Sequence, residues 1–473
     1  MLRKYFLVGA SAFVLGAGAM AYLNHPAHAE ATVPSAESFR TLELFADALD
    51  IIEKQYVTPV DEKKLIQSAI DGMLTTLDPH SGYLNAADYA DLRDQTRGQY
   101  GGLGLEVTGD EGAVKVVSPM DDTPAAKAGL QPGDFITAID SQSVIGLNLN
   151  DAVKKMRGAI GQPITLTVVR PGKDPFDVTL VRQAIDVKSA KGHLEGDYGY
   201  LRLSAFDENT TEQAVAALKD MQTKDPHMKG LVLDLRNNPG GLLDQAVSVS
   251  SMFLNGGEVV SQRGREAKDI ERYNAREGGD LLHGLPIVVL INSGTASAAE
   301  IVSGALKDRH RAAIVGLTSF GKGSVQTIIP MPNENGAMKL TTARYYTPSG
   351  GSIQKTGIEP DLEVAATQEQ AEQVANEAFE FSEASFTNAL NAEEGKARRG
   401  AHHPAEAPPP GFDIKKDFQL SRALDVLKYG SVEATPKYAA PKPKIANLLG
   451  PNVKFPPETT PPGSNAKPAP AHP

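Results

Sequence analysis

Cysteine is absent from the 473 residues, which removes disulfide scaffolds, thiolate nucleophiles and cysteine-based metal sites together. The lipid-modified cysteine that tethers a bacterial lipoprotein is removed with them. Tryptophan is absent too, and that constrains little. A surplus of positive charge is also missing. The formal net charge is −11, whereas a nucleic-acid partner requires a basic face. Removing residues 1–29, which carry Arg3 and Lys4 and no acid, leaves −13. That balance favours solubility and indicates no particular substrate. Ten histidines are present, but His283 and His310, the two within the core region, stand in no recognisable signature. No His–Asp–Ser set of the chymotrypsin kind is found.

What is present begins with an export signal. Arg3 and Lys4 precede an apolar run from Tyr5 to Leu23, and Ala27-His28-Ala29 supplies an A-x-A site. The run is long for a signal peptide, so an uncleaved membrane anchor is the alternative. Either way the rest of the chain leaves the cytoplasm. From Ser38 to Leu92 apolar residues recur at helical spacing (Leu42, Phe45, Leu49 and Ile52, then Leu65, Ala69 and Met73). Asp78-Pro79-His80-Ser81 interrupts the pattern as a turn. His80 has no partner at metal-ligand spacing and reads as structural.

From Gly101 to Ala184 short apolar runs alternate with Gly and Pro turns, as short strands do, with one helical stretch at Leu149–Met156. From Tyr198 to Val364 the runs Leu231–Leu235, Pro286–Ile291 and Ala312–Val315 have the length and uniform apolarity of buried parallel strands. Helical segments follow at Leu242–Phe253 and Ala296–Leu306, which predicts an α/β core. Beyond Gln368 the chain turns Ala/Glu-rich. From residue 400 it holds 15 of the 32 prolines, which predicts a disordered or extended tail with one helical island at 417–427 that docks on the core.

Three segments of the core region carry chemistry. In Ile287–Glu300 a buried strand ends in a small-residue turn, Ser293-Gly294-Thr295-Ala296-Ser297, and a helix begins at once. A serine there has free helix N-terminal N–H groups beside it, and such groups can stabilise an oxyanion. Taken alone, it reads first as an ordinary N-cap serine. The turn is not the G-x-S-x-G elbow of α/β-hydrolases. In Gly316–Gln326, Lys322 stands between two glycines with no other charge nearby in this stretch. A lysine whose pKa is lowered by burial can replace histidine as a base. Gly316, Gly321 and Lys322 also approach a P-loop, but Gly323 stands where Ser or Thr is needed, and a strand follows where a helix is required. Leu233–Gly241 is a strand running into a Pro-Gly-Gly turn, where the glycines let the backbone approach another group closely. A plain strand–helix connection is the other reading.

Together these segments resemble the carboxy-terminal processing peptidases (tail-specific proteases), a Ser/Lys-dyad family with an embedded PDZ domain. The family's nucleophile motif corresponds to Gly294–Glu300 and its lysine motif to Thr318–Gln326. Its D-L-R-x-N-P-G-G signature matches Asp234–Gly241, its D-P-H-S-x-Y-L element Asp78–Leu84, and a closing motif Gly357–Asp361. The resemblance implies Ser297 as nucleophile, Lys322 as general base and Gln326 orienting its amine, with the backbone N–H groups of Gly240 and Ala298 as oxyanion hole. It implies neither metal nor cofactor. Tyr100–Leu105 resembles a PDZ carboxylate-binding loop, with Gly101, Gly102, Leu103, Gly104 and Leu105 on the peptide, and Ala128–Asp134 the PDZ A-G-L-x-x-G-D turn. Arg157 resembles an arginine that relays PDZ occupancy to the active site.

The implied fold is multidomain α+β. It has a signal peptide at 1–29, a helical N-terminal domain at 30–98 and an inserted PDZ β-sandwich at 99–185. A ClpP/crotonase-like α/β peptidase core follows at 186–366, a helical segment at 367–399 and a Pro-rich tail at 400–473. The implied function is a periplasmic serine endopeptidase that recognises apolar C-termini of exported proteins and cleaves near them. An adaptor protein and homo-oligomerisation through the helical termini are further expectations. A non-catalytic PDZ scaffold on a peptidase-like core is the alternative, and it has no use for Ser297 and Lys322. A chymotrypsin-like PDZ protease would need a G-N-S-G-G motif that is missing.

Overall fold

The computed structural model describes residues 36–438, apart from 111–112, 121, 148, 171, 187, 267, 333–334, 376–381, 392–404, 410 and 414–415. The expected signal or anchor at 1–29 lies outside the described residues. No described helix is long and apolar enough to cross a membrane. The chain divides into two compact units at Ile70/Asp71. The first contains the helix Ala36–Gln55 and most of its successor, Glu62–Thr75. Its apolar stripe, Phe39, Leu42, Phe45 and Ile52, is exposed.

In the second unit, six strands from Leu105–Asp110 to Phe176–Val181 form an antiparallel sheet with a core of its own. In the strand Pro163–Val169, Ile164, Leu166 and Val168 point inward at period two. The helix Leu149–Met156 adds Ala152 and Met156 to the same core. The strand Gln99–Gly102 pairs with Gln183–Asp186, so the chain enters and leaves this region at one place.

The larger sheet has six strands in the order Ala190–Glu195, Tyr198–Leu203, Leu231–Asp234, Ile287–Ile291, Ala312–Gly316, Leu362–Glu363. The first pair is antiparallel and the rest are parallel. Every residue of Ile287–Ile291 is buried, because both faces of the sheet are covered. Leu233, Val289 and Ile314 pack with Leu218, Val249 and Val302 of the helices Thr210–Lys224, Leu243–Ser251 and Ala298–Asp308. Val232, Leu290 and Val315 pack on Phe418, Val426 and Leu427 of the helix Phe418–Tyr429. Each such buried side chain contributes about 1.5–3 kcal/mol.

The helix Phe418–Tyr429 is pinned by charge as well as packing. Asp234 is fully buried, and it accepts from Tyr200 Oη at 2.7 Å and from Arg236 Nη2 at 2.6 Å. The same guanidinium reaches Asp417 at 2.6 Å and Gln419 at 2.9 Å. Arg236 opens the turn after the strand and its N–H folds back to Asp234 Oδ1 at 2.9 Å, so the pair together receives the helical island. The expected tail needs a correction here, because Ala405, Glu406 and Ala407 pack on the core together with the helix rather than extending from it. Val364 and Glu406 form a parallel bridge at the sheet edge, and Ala405 and Ala407 are buried. Proline is tolerated at such an edge, where an N–H is not required. Residues 439–473 lie outside the described residues.

A second sheet carries the hairpin Ser324–Pro330 and Ala337–Tyr346, flanked on the latter strand by Gly82–Leu84 and Glu258–Arg263. This hairpin brings Lys322 to the carboxyl ends of the parallel strands.

Candidate active site

Three turns meet at the carboxyl ends of the neighbouring strands Leu231–Asp234, Ile287–Ile291 and Ala312–Gly316, where open α/β sheets place their sites. They are stitched directly together. Thr295 Oγ1 donates to the Leu235 carbonyl at 2.9 Å, Ala296 N–H to Asn238 O at 2.9 Å, and Phe320 N–H to Thr295 O at 2.9 Å. The side-chain amide of Asn292 bonds Asn237 at both ends, 2.9 Å each.

Ser297 takes the N-cap position of Ala298–Asp308, in a capping box with Glu300. It is no ordinary cap, because its backbone lies at φ 53°, ψ −116°, far from the extended conformation caps adopt. Strain of this kind costs about 1–3 kcal/mol. The surroundings hold it in place, with Glu300 Oε2 accepting the Ser297 N–H at 2.8 Å. Gly240 sits against this turn with φ +99°, and a Cβ there would lie 2.8 Å from Ser297 Cβ and 2.9 Å from Ala298 N. Only glycine fits. Gly240 N–H is engaged by Asn238 Oδ1 at 2.9 Å, whereas Ala298, the first residue of its helix, has no intrahelical acceptor for its own N–H.

Lys322 follows Gly321 and precedes Gly323 because the loop is pressed against residues 354–357. A Cβ at Gly323 would lie 2.4 Å from Gln354 N, and Gly321 has φ +93°. The amine is largely buried. Burial, and then the like charge of Lys339, pull its pKa below the usual lysine value, against Glu383, Glu300 and Asp78, which favour the ammonium. No hydrogen bond joins the Ser297 hydroxyl to the Lys322 amine. Gln326 Nε2 donates to Ser324 Oγ at 2.9 Å and Thr341 Oγ1 at 3.3 Å, which leaves its Oε1 as the end available to an amine.

Glu300 connects the two halves. It is fully buried, and burial pushes its carboxyl up to about 7 against four donors. Ser319 Oγ and Gly321 N–H reach Oε1 at 2.5 and 2.7 Å, and Ser297 and Lys322 N–H reach Oε2 at 2.8 and 2.9 Å. Ser319 Oγ in turn accepts from Ile358 N–H at 2.6 Å, so the Gly357–Asp361 segment also supports the site. The role of Glu300 was missed from sequence, although S-x-x-E is the readable signature of a capping box.

Residues 197–364 match the profile of "Peptidase family S41", and residues 115–170 that of "PDZ domain". Residues 8–88 match "Activating protease CtpB N-terminal domain". The carboxy-terminal-processing protease of Bartonella bacilliformis is 49% identical over 431 residues, covering 90% of this chain and 96% of that protein. The chain belongs to the carboxy-terminal processing proteases. The protease is accordingly a serine-type endopeptidase of family S41. The carboxy-terminal processing protease CtpB of Bacillus subtilis is 36% identical over 350 residues, covering 72% of this chain and 70% of that one. A solved photosystem II D1 C-terminal processing protease shares 32% identity over 68% of this chain and 92% of its own, with a TM-score of 0.42.

The PDZ domain of the protease carries a cleft lined by Leu103, Leu105, Val107, Val153 and Met156, with Tyr100 and Arg157 at its side. The Arg157 guanidinium stacks 4.4 Å from the Tyr100 ring centre. Gly101 touches Gly158, where a Cβ would lie 2.0 Å from its carbonyl oxygen, and Gly104 at φ +72° abuts Thr123. The structure therefore gathers Gly102, Leu103, Gly104, Leu105 and Arg157 at one cleft, with Gly101 packed on Gly158. The Ser297, Lys322, Gly240 and Ala298 group lies at the sheet ends.

Proposed function

We propose that Ser297 is the nucleophile and Lys322 the general base of this protease. The observation that carries the reading is Glu300, whose one oxygen holds the backbone N–H groups of both residues. The neutral amine of Lys322 takes the Ser297 proton as Oγ attacks the scissile carbonyl. The Ala298 and Gly240 N–H groups receive the oxyanion, the amine of the leaving peptide departs with a proton from Lys322, and water hydrolyses the acyl-enzyme. Gly240 N–H must first leave Asn238, and Ser297 must close on Lys322. Gln326 Oε1 orients the amine once it swings in. A scaffold without catalysis would have no need to bury a lysine beside a strained serine.

The PDZ domain takes the apolar C-terminus of an exported protein as an added strand along Leu105–Asp110, with the carboxylate at Gly101–Leu105. The cleft and its apolar lining support this, and the position of Arg157 at its edge supports a relay of occupancy. We assign the domains as 1–29, 30–98, 99–185, 186–366, 367–399 and 400–473, with a ClpP/crotonase-like core, a helical N-terminal domain and a periplasmic location. The exposed stripe of Ala36–Gln55 supports self-association, and an adaptor protein would bring substrates. The test is cleavage of an unfolded protein with an apolar C-terminus by wild type, Ser297→Ala and Lys322→Ala. Near-normal turnover by Lys322→Ala would show that the dyad is misassigned. Deleting residues 101–184 should abolish binding of the C-terminal peptide.

A further inference from the structure

The Asp78–Ser81 turn lies far from the dyad in sequence and carries no part of the mechanism above. Yet it grips the lysine strand from both sides. On one side Thr341 N–H donates to Ser81 Oγ at 3.1 Å, and Thr341 Oγ1 receives Gln326. On the other side His80 Nε2 lies 2.8 Å from Glu383 Oε2. Glu383 Oε1 accepts from Gln354 Nε2 at 3.0 Å, and Gln354 Oε1 accepts from Gly323 N–H at 3.0 Å. The Glu383 side chain is fully buried and that of His80 is 14% exposed.

Glu383 belongs to a segment, Ser382–Asn391, that lies outside the matched peptidase profile at 197–364. Its N–H donates to Phe320 O at 2.9 Å, and Phe386 packs edge-on against Phe320 and His80, each 6.2 Å between ring centres. Leu390 O and Asn391 Oδ1 accept from Gln354 and Lys355. The segment therefore straps the Phe320–Gly323 loop from outside. A turn 240 residues upstream and a strap 60 residues downstream (about those separations) close on the same four-residue loop.

We propose that His80 and Glu383 are positioning residues, a clamp that acts through Gln354 and Gly323 to hold Lys322 where it can take the Ser297 proton. This rests on the dyad reading above. The clamp also places charge. The groups acting on the Lys322 amine are Lys339, Glu383, Glu300 and Asp78, and of the two acids outside the serine helix, one belongs to the strap and one to the turn. His80 faces Glu383 from the turn, and its backbone N–H is held by Asp78 Oδ1 at 2.8 Å.

The full-length protease, His80→Ala, His80→Gln, Glu383→Gln and Lys322→Ala are compared by two readouts. One is phosphonylation of the serine by a fluorophosphonate probe, and the other is the pH profile of kcat and KM on an unfolded protein with an apolar C-terminus. His80→Ala is expected to lower kcat and probe labelling about tenfold or more, with KM within about threefold, since small misplacements of a reacting group are costly. His80→Gln, which can still donate to Glu383, should recover part of the loss. Glu383→Gln should shift the acid limb of the profile to lower pH, because one charge that favours the ammonium is gone. Turnover and profiles within twofold of wild type in His80→Ala and Glu383→Gln would overturn the clamp. So would equal losses in His80→Ala and His80→Gln that follow a fall in melting temperature. If Glu383→Gln does not fold, the two His80 variants decide the question. A wild type that is not labelled, or a Lys322→Ala that is labelled normally, would refute the dyad instead.

Discussion

The serine turn and the lysine loop lie side by side, but different lengths of chain build them. Ser297 is placed by its own strand and helix, by Thr295 two residues before it and by Glu300 three residues after it. Its distant supports are the Asn237–Gly240 turn, the neighbouring strand end and the Phe320 N–H bonded to Thr295 O. Lys322 is placed almost wholly by remote groups, namely Glu300, Gln354, the 355–357 turn and the Glu383 strap. A turn placed by local geometry is present whenever the core is folded. A loop placed by long-range contacts holds only when several segments agree, so the lysine side is the easier one to disturb.

That contrast can be broken most sharply at Lys322. Replacing it with Ala, or with Arg, whose guanidinium stays protonated, should lower kcat by about a thousandfold or more. Thermal melting should change little, since the amine makes no hydrogen bond or ion pair among the described residues. A Lys322→Arg enzyme with substantial turnover would show that no neutral base is needed at this position.

Gly240→Ala attacks the serine side. Its Cβ would lie 2.8 Å from Ser297 Cβ, displacing the turn and an oxyanion donor, and kcat should fall about a hundredfold with the PDZ affinity for a C-terminal peptide unchanged. Glu300→Gln tests the link between the two regions. An amide puts a donor where four donors already converge, so chemical denaturation should report a loss of about 2–4 kcal/mol, and both halves should lose order. If only the lysine loop loosened, Glu300 would serve one side alone.

The smallest effect is a matter of pH. The base must be neutral, and the neutral fraction grows as pH rises through the Lys322 pKa, so kcat/KM should increase with pH. Its inflection should fall below the ordinary lysine value of 10.5. An inflection at or above that value would mean the burial seen here is not retained in the working enzyme.

Much of this was legible in advance for a physical reason. The strands Ile287–Ile291 and Ala312–Gly316 were readable because burial on both faces forces continuous apolar runs. The helix Leu149–Met156 and the island at Phe418–Tyr429 were readable because helical periodicity is local. The proline-rich stretch around Glu406 misled, since composition cannot tell an extended free chain from an extended chain laid along a sheet edge. His80 looked partnerless because its partner, Glu383, is 303 residues away.

Sequence alone therefore determined the elements, the serine and lysine, and the PDZ loop, all of which depend on residue type and short spacing. Tertiary structure decided what no spacing encodes. It put Ser297 at a positive φ that its neighbours must enforce, and it left the Gly240 N–H, the proposed oxyanion donor, bonded to Asn238. It also bound the lysine loop to Glu300, Gln354 and Glu383. Those contacts join residues that only the fold brings within hydrogen-bond range, and their strength comes from the burial that the fold creates.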